Sequence, residues 1–186
     1  MKIRWPLVAL IAPLLGLIGA RQAAAQAPEP MQLGIGYQFL HVSFDGDGES
    51  FPAGAYVDVG RALKSDRNKA WGWMGQFEMG FKSGDGFSEQ LYTVLGGMRL
   101  STAKPLKWTP SVFGLIGFGS LNASCDQFCA GTESGVAFQG GFAISTRINQ
   151  KVSANVGFKA TKLKVDSGGL FNTAVSAGLR LMISKS

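Results

Sequence analysis

Apolar side chains recur at every second position along most of this 186-residue chain. In the stretch "WGWMGQFEMGF", Trp71, Phe77 and Phe81 share one parity, whereas Gln76 and Glu78 share the other. Successive side chains of a β-strand point to opposite faces, so such a segment has one apolar face and one polar face. No segment sustains a helical period, and clusters of Gly, Asp, Ser and Asn separate the alternating stretches. The pattern therefore predicts an all-β protein.

Eight segments carry this alternation. They lie near residues 32–44, 51–62, 70–82, 88–100, 107–120, 134–148, 151–163 and 170–183. The even number and regular spacing favour an eight-stranded antiparallel up-and-down barrel, with a β-sandwich as the alternative. The fifth segment, "KWTPSVFGLIGFGS", is apolar on both faces, so its orientation stays open.

The composition of the second face indicates which side of the barrel meets water. Opposite the bulky apolar residues stand mainly Gly, Ser, Ala, Gln and Asn, and only 16% of all residues are charged. A soluble ligand-carrying barrel needs an outer face rich in Lys and Glu. Apolar side chains that contact lipid, with small polar ones filling a narrow lumen, explain the pattern better. We therefore predict a transmembrane β-barrel over residues 32–186, with a soluble periplasmic lipid-binding barrel as an alternative.

Several charged residues lie on the small, polar face, and they test this orientation. They are Asp58, Glu78, Arg99, Arg147, Lys159 and Arg180. An Arg or Lys that faces lipid at the bilayer midplane costs about 2–4 kcal/mol. If Arg99, Lys159 and Arg180 faced lipid, they would together offset most of the roughly 5–15 kcal/mol that stabilises a domain. We therefore expect these charges to point into the lumen.

Counting along the strands predicts two layers of paired charge inside the barrel. Glu78 and Lys159 fall at similar heights on strands that face each other, nearer the outer end. Asp58 falls lower, where Arg99 or Arg180 is its expected partner. Such a network plugs the tube without requiring conduction, so a narrow pore is an alternative rather than the main prediction.

Aromatic residues gather at the predicted strand ends. Trp71, Trp73 and Trp108 lie near the periplasmic ends, and Phe81, Phe87 and Phe171 lie near the other rim. Transmembrane barrels carry such girdles at both membrane interfaces.

The first residues have the order of a secretory signal peptide. Lys2 and Arg4 precede an apolar run, and small residues follow it, which predicts cleavage after Ala25 and a short segment 26–31 before the barrel. Three of the 18 basic residues leave with residues 1–25, so 15 basic residues face 12 acidic ones, a net charge of +3. This balance gives no reason to expect a nucleic-acid partner.

Two cysteines lie close together in "NASCDQFCAGTES". In an exported chain, Cys125 and Cys129 are expected to form one local disulfide. A metal site is the alternative, but no histidine accompanies the two thiols.

One set of connections is acidic and the other is basic. In the segment "DGDGES", Asp45, Asp47 and Glu49 are candidate ligands for divalent cations at the outer loops. A helix-flanked calcium loop has a glycine at its sixth position and a glutamate at its far end, and this segment has neither at those positions. No cofactor is predicted.

With these features in place, the chain resembles the small outer-membrane β-barrel family, the OmpA/OmpX-type eight-stranded barrels of Gram-negative bacteria. The resemblance is carried by "LGIGYQFLHV", "GQFEMGF", "VLGGMRL" and "SAGLRLMI". It implies a monomer in the outer membrane, surrounded by outer-membrane lipid, with a structural or surface-interaction role and no catalysis. The last stretch, with Ser176, Gly178, Leu181 and Ile183, is similar to the terminal signal that the barrel-assembly machinery recognises, which implies that machinery as a partner during insertion.

A second resemblance concerns "FLHVSF" in the first strand. His41 and Ser43 lie two residues apart on the predicted lipid-facing side. Such a His-x-Ser pair is similar to the dyad of outer-membrane lipid A deacylases, where histidine activates serine. This resemblance implies a lipid A-modifying hydrolase as an alternative function. In the other interpretation, His41 is an interfacial residue at a strand end.

Overall fold

The structure of the chain is a computed structural model that describes residues 30–44, 47–65, 68–84, 86–103, 107–125, 131–165 and 168–183. Of Phe44, Asp47, Glu49 and Cys125, the backbone alone is described. The predicted signal peptide, residues 1–25, lies outside the described residues.

Nine β-strands make up the described chain. They are β1 (Met31–Phe44), β2 (Asp47–Phe51), β3 (Ala53–Ser65), β4 (Lys69–Gly84), β5 (Phe87–Thr102), β6 (Trp108–Cys125), β7 (Gly131–Arg147), β8 (Val152–Val165) and β9 (Gly168–Ile183). Each pairs antiparallel with its neighbours, and β1 also pairs with β9, so the sheet closes into a barrel. No helix in the described residues is long and apolar enough to span a membrane.

The second predicted strand is divided into β2 and β3. Pro52 separates them, because proline has no N–H to donate to the ladder. Both pieces pair with β1, and the partners change from Leu40↔Phe51 to Tyr37↔Ala55, which leaves one extra residue at the break. The two pieces thus share one position in the wall, and the prediction of eight antiparallel strands in an up-and-down barrel is confirmed.

The strands are strongly staggered. Following partners from Leu33 around the wall leads back to β1 at Ser43, ten residues further along. With eight strands, a barrel of this kind has an interior just wide enough for side chains to fill. Met31 and Ile183 are partners, so both ends of the sheet lie together. We call this the terminal end of the barrel and the opposite one the distal end.

The two faces of the wall have the polarity that the alternation predicts. Along β4, Phe77 and Phe81 are exposed on the outside, whereas Gln76 and Glu78 are buried inside. Large exposed apolar residues cover the outer wall on every side. The strand with two apolar faces, β6, turns Ile116 outward and buries Leu115. Such a wall suits lipid and not water, which contradicts the soluble-barrel alternative.

The predicted aromatic residues lie mostly on the outer wall. Trp71, Trp108, Phe81 and Phe171 are exposed near the ends of their strands, and Trp73 is partly buried. Phe87 begins β5 with the parity of the lumen-facing Leu91, but it stands beyond the rim and is exposed. There its ring lies 5.1 Å from the Lys82 ammonium.

Glycines make room inside the barrel for one bulky side chain. The ring of Tyr56 lies against two of them: a Cβ at Gly36 would lie 2.6 Å from the ring, and one at Gly178 would lie 2.5 Å from the phenol oxygen. Each added Cβ would also approach a backbone carbonyl to 2.4 Å. Gly96, on the outer wall, has open space where its Cβ would lie.

These contacts predict opposite effects for two glycine substitutions. Gly36→Ala should lower the free energy of unfolding by about 1–3 kcal/mol, because the added methyl overpacks the lumen. Gly96→Ala, the matched control, should be neutral or slightly stabilising, because alanine restricts the unfolded chain. Reversible urea unfolding in lipid vesicles measures both values. Equal effects of the two substitutions would contradict the packing described for Tyr56.

Candidate functional site

The side chain of Glu78 is the centre of a polar layer inside the barrel. Glu78 lies on β4 and Lys159 on β8, and the two strands face each other across the lumen. Their side chains form an ion pair between Lys159 Nζ and Glu78 Oε1. Glu78 is 3% exposed and Lys159 is 2% exposed. This is the pairing that the strand count predicted.

Three further donors hold the same carboxylate. Gln76 Nε2 donates to Oε1 at 2.6 Å, and Thr93 Oγ1 and Gln139 Nε2 donate to Oε2 at 3.1 Å each. Gln139 Nε2 also donates to Thr161 Oγ1 at 2.9 Å. A buried charge is tolerated when it is paired and its remaining lone pairs are satisfied. Glu78 meets both conditions, so it is fixed in place.

Tyr56 extends the polar contacts of this layer towards the terminal end. The Lys159 ammonium lies 4.7 Å from the centre of the Tyr56 ring. On its other side, the Tyr56 hydroxyl donates to Asn155 Oδ1 at 2.9 Å. The polar contacts thus continue from one layer towards the next.

The second layer contains the Asp58–Arg180 ion pair. Arg180 Nη2 lies 3.2 Å from both carboxylate oxygens of Asp58. Gly34 makes space for this carboxylate, since a Cβ there would lie 2.3 Å from Oδ2. Arg99 Nη2 donates to Gln32 Oε1 at 2.5 Å. Asp58 thus pairs with Arg180, one of its two predicted partners.

The prediction that Arg147 points into the lumen is wrong. This residue ends β7 and has the parity of the lumen, but its side chain is exposed. It lies past the level at which the wall encloses side chains, so water rather than a buried carboxylate can solvate it.

Apolar side chains close the lumen on the distal side of the Glu78 layer. We call this group the apolar cap, and it consists of Leu40, Phe51, Leu91, Leu163 and Leu170, each at most 2% exposed. Glycines accommodate it: a Cβ at Gly80 would lie 3.1 Å from Leu40, and one at Gly119 would lie 2.9 Å from Leu163.

Sequence reasoning missed the apolar cap, because it described the inner face as small and polar. A signal was nevertheless present. In "TKLKV" the apolar Leu163 shares the parity of the buried Lys159, so apolar and polar positions exchange faces near the distal end of β8.

The lipid-facing histidine contacts a different serine from the predicted one. His41 and Ser43 both lie on the outer wall of β1, but His41 Nδ1 lies 3.3 Å from Ser50 Oγ on β2. The imidazole also lies along Gly48, whose Cβ would be 2.7 Å from Nε2. The structure thus brings His41 to Ser50.

Two predicted sites extend beyond what is described. Asp45 and Cys129 lie outside the described residues, and the side chains of Asp47, Glu49 and Cys125 are not described. The divalent-cation site and the disulfide therefore stay predictions. Within the described ranges, no group of three or more His, Cys, Asp or Glu residues is arranged to hold a metal ion.

A closed barrel with an apolar outer wall and a lumen filled with paired charge is a transmembrane β-barrel of the outer-membrane class. Residues 10–182 match the family described as outer membrane protein beta-barrel domain. The chain belongs to this family, and the protein is an outer-membrane barrel.

Solved structures share the fold at low sequence identity. Neisserial surface protein A has a TM-score of 0.68 at 9% identity, over 85% of this chain and 100% of that one. Ail, the attachment invasion locus protein of Yersinia pestis, has 0.59 at 19% identity, over 83% and 99%. The N-terminal β-barrel domain of Pseudomonas aeruginosa OprF has 0.50 at 9% identity, over 83% and 99%. No curated protein sequence matches the chain.

The Glu78–Lys159 pair leads to a test by double-mutant cycle. Glu78→Leu leaves the buried ammonium of Lys159 without its carboxylate, so it should lower the free energy of unfolding by about 3–5 kcal/mol. Adding Lys159→Met removes the unpaired charge and should restore most of that loss. Urea unfolding in lipid vesicles measures each variant, and the exposed Lys151→Met serves as a control. A Glu78→Leu variant as stable as the parent would contradict the buried ion pair.

Proposed function

We propose that this outer-membrane barrel has a structural or surface-interaction role and neither conducts solutes nor catalyses a reaction. The observation that carries the proposal is the filling of the lumen. Two ion-paired layers and the apolar cap occupy successive levels of one narrow tube. An ion would have to displace paired charges and then pass a hydrophobic constriction, which excludes water.

The likeness to surface proteins supports a role at the distal end of the barrel. Two of the structural neighbours are named a surface protein and an attachment protein. A structure of Ail contains the heparin analogue sucrose octasulfate, so that barrel carries a ligand. In this chain the distal end would face the cell exterior, because an exported chain enters the outer membrane from the periplasm and the start of its first strand and the end of its last strand, Met31 and Ile183, lie together at the terminal end.

Other parts of the proposal concern processing and partners. Residues 1–25 would be removed during export, and the barrel-assembly machinery would insert the chain through its last strand. The barrel would act as a monomer surrounded by outer-membrane lipid. Divalent cations at Asp45, Asp47 and Glu49 would join the outer loops to neighbouring lipid phosphates.

Because the lumen is closed, the protein is expected to conduct no ions across a membrane. Purified protein, first shown to be folded by its heat-modifiable gel mobility, should give no unitary current steps in a planar bilayer at 100 mV. A general porin added to the same bilayer is the positive control. Regular current steps that scale with the amount of protein would favour the narrow-pore alternative instead.

The hydrolase alternative is favoured by one contact, His41 with Ser50 on the lipid-facing wall. If the barrel is not an enzyme, mass spectra of lipid A from cells expressing the parent, Ser43→Ala or Ser50→Ala should be the same. A lost acyl chain that returns with either serine variant would establish deacylation. Testing both serines separates the predicted dyad from the observed contact.

A further inference from the structure

Two lysines project from the lipid-facing wall of β8. Lys162 and Lys164 are exposed, whereas Thr161, Leu163 and Val165 between and beside them are buried. Both lysines therefore share the outward parity of Phe158. Their spacing of two residues places the Cα atoms about 7 Å apart on one face of the strand.

The cost of exposing a lysine to lipid fixes their level in the membrane. A lysine on the lipid face is strongly destabilising at the bilayer midplane and costs almost nothing near the interface. Lys164 is followed by the last residue of β8, at the distal end of the strand. The lysine pair thus belongs at the level of the lipid headgroups, not in the hydrocarbon.

The described outward residues near this pair carry no negative charge. Glu89 and Glu133 have the parity of the lumen on their strands, whereas the outward residues near the distal ends of β6 and β7 include Ser120, Asn122 and Ser134. Among the described side chains, neither lysine has a carboxylate partner. Two unpaired ammonium groups beside hydroxyl and amide groups are complementary to a phosphate.

An apolar trough lies next to the lysine pair on the same outer wall. Gly96, Gly114 and Gly140 form its floor, with open space where each Cβ would lie. Met98, Ile116 and Phe138 flank it, and the depression holds about 500 Å³.

The strand register places the trough and Lys162 in one row of residues across the wall. Phe138 is the partner of Ile116 on one side and of Lys162 on the other. Three strand spacings, about 14 Å, therefore separate Gly96 from Lys162 along one row of the wall. Because the strands are tilted, this row rises towards the distal end as it approaches β8. The trough thus lies deeper in the hydrocarbon than the lysines do.

We propose that this wall binds one phosphorylated lipid of the outer leaflet, with Lys162 and Lys164 holding a phosphate and the trough holding an acyl chain. The two lysines lie at the depth of a lipid headgroup and the apolar trough lies at the depth of an acyl chain, which is the arrangement that such a lipid requires. The proposal rests on the outer-membrane location and not on the closed lumen. A conducting barrel would overturn the closed lumen and leave the lipid site standing.

Native mass spectrometry of the detergent-solubilised protein tests the phosphate part. The probes are diphosphoryl lipid A and the same lipid after removal of both phosphates. The parent should retain the phosphorylated lipid, and Lys162→Gln/Lys164→Gln should weaken its binding about 10–30-fold, since each interfacial cation contributes severalfold to binding an anionic lipid. Lys162→Arg/Lys164→Arg should retain binding, and so should Lys151→Gln, which removes an exposed lysine at the terminal end.

Equal binding by the parent and the double glutamine variant would overturn the proposal, as would an equal loss in Lys151→Gln. Heat-modifiable mobility establishes that each variant is folded. Inorganic phosphate at 10-fold excess over the lipid should not displace it. Full displacement would indicate a site for free phosphate and would also overturn the assignment to a lipid.

A second variant tests the acyl part separately. Gly140→Leu fills the trough without a clash, because its Cβ position is open. It should weaken binding of diphosphoryl lipid A severalfold and leave binding of the deacylated phosphosugar unchanged. Val156→Leu, on the exposed wall of β8, is the matched control for added apolar volume. Unchanged lipid binding in Gly140→Leu would remove the trough from the site.

Discussion

The narrow bore of the barrel is the constraint on which the rest of the structure depends. Eight strands staggered by ten residues leave space for side chains and little else. A charged group in this space must find its partner on another strand of the same wall. Glu78 therefore depends on the register that places Lys159 opposite it, and Asp58 depends on the register of Arg180. Strand register, rather than any local motif, determines whether the interior is stable.

Large side chains in the lumen lie against glycines, which leave the space that these side chains occupy. Tyr56 occupies the volume left by Gly36 and Gly178, and Asp58 occupies the volume left by Gly34. Because of this complementarity, Tyr56 can place its ring against the Lys159 ammonium and donate its hydroxyl hydrogen to Asn155. A neutral residue therefore lies between the two charged layers, and neither layer is isolated in an apolar surrounding.

Much of this architecture follows from the sequence, because period-two alternation is a local property. The strand count, the lipid-facing side and the Glu78–Lys159 pair all depend on parity and on approximate height. The choice between Arg99 and Arg180 for Asp58 depends on tilt, which a sequence does not contain. The contact of His41 with Ser50 depends on the break at Pro52, because the break sets the register of β2 against β1. The apolar cap does not follow from a constant alternation, because apolar and polar positions exchange faces near the distal end of the strands.

That reversal of polarity marks a boundary of the membrane. Through the middle of most strands, apolar residues face outward, and the residues that face the lumen are mainly polar or small. Near the distal end the order inverts: Leu163 faces inward between two outward lysines, and Leu40 faces inward beside the outward His41.

The same inversion occurs at Leu121 of β6, which is partly buried between the outward Ser120 and Asn122. Outward residues there no longer contact hydrocarbon, so polar side chains become favourable on the outside. The lumen, in turn, must be sealed at that level. One short stretch such as "TKLKV" therefore closes the interior and presents cations to the headgroups. If the register of this strand shifted by one residue, Leu163 would face outward and the two lysines would face the lumen.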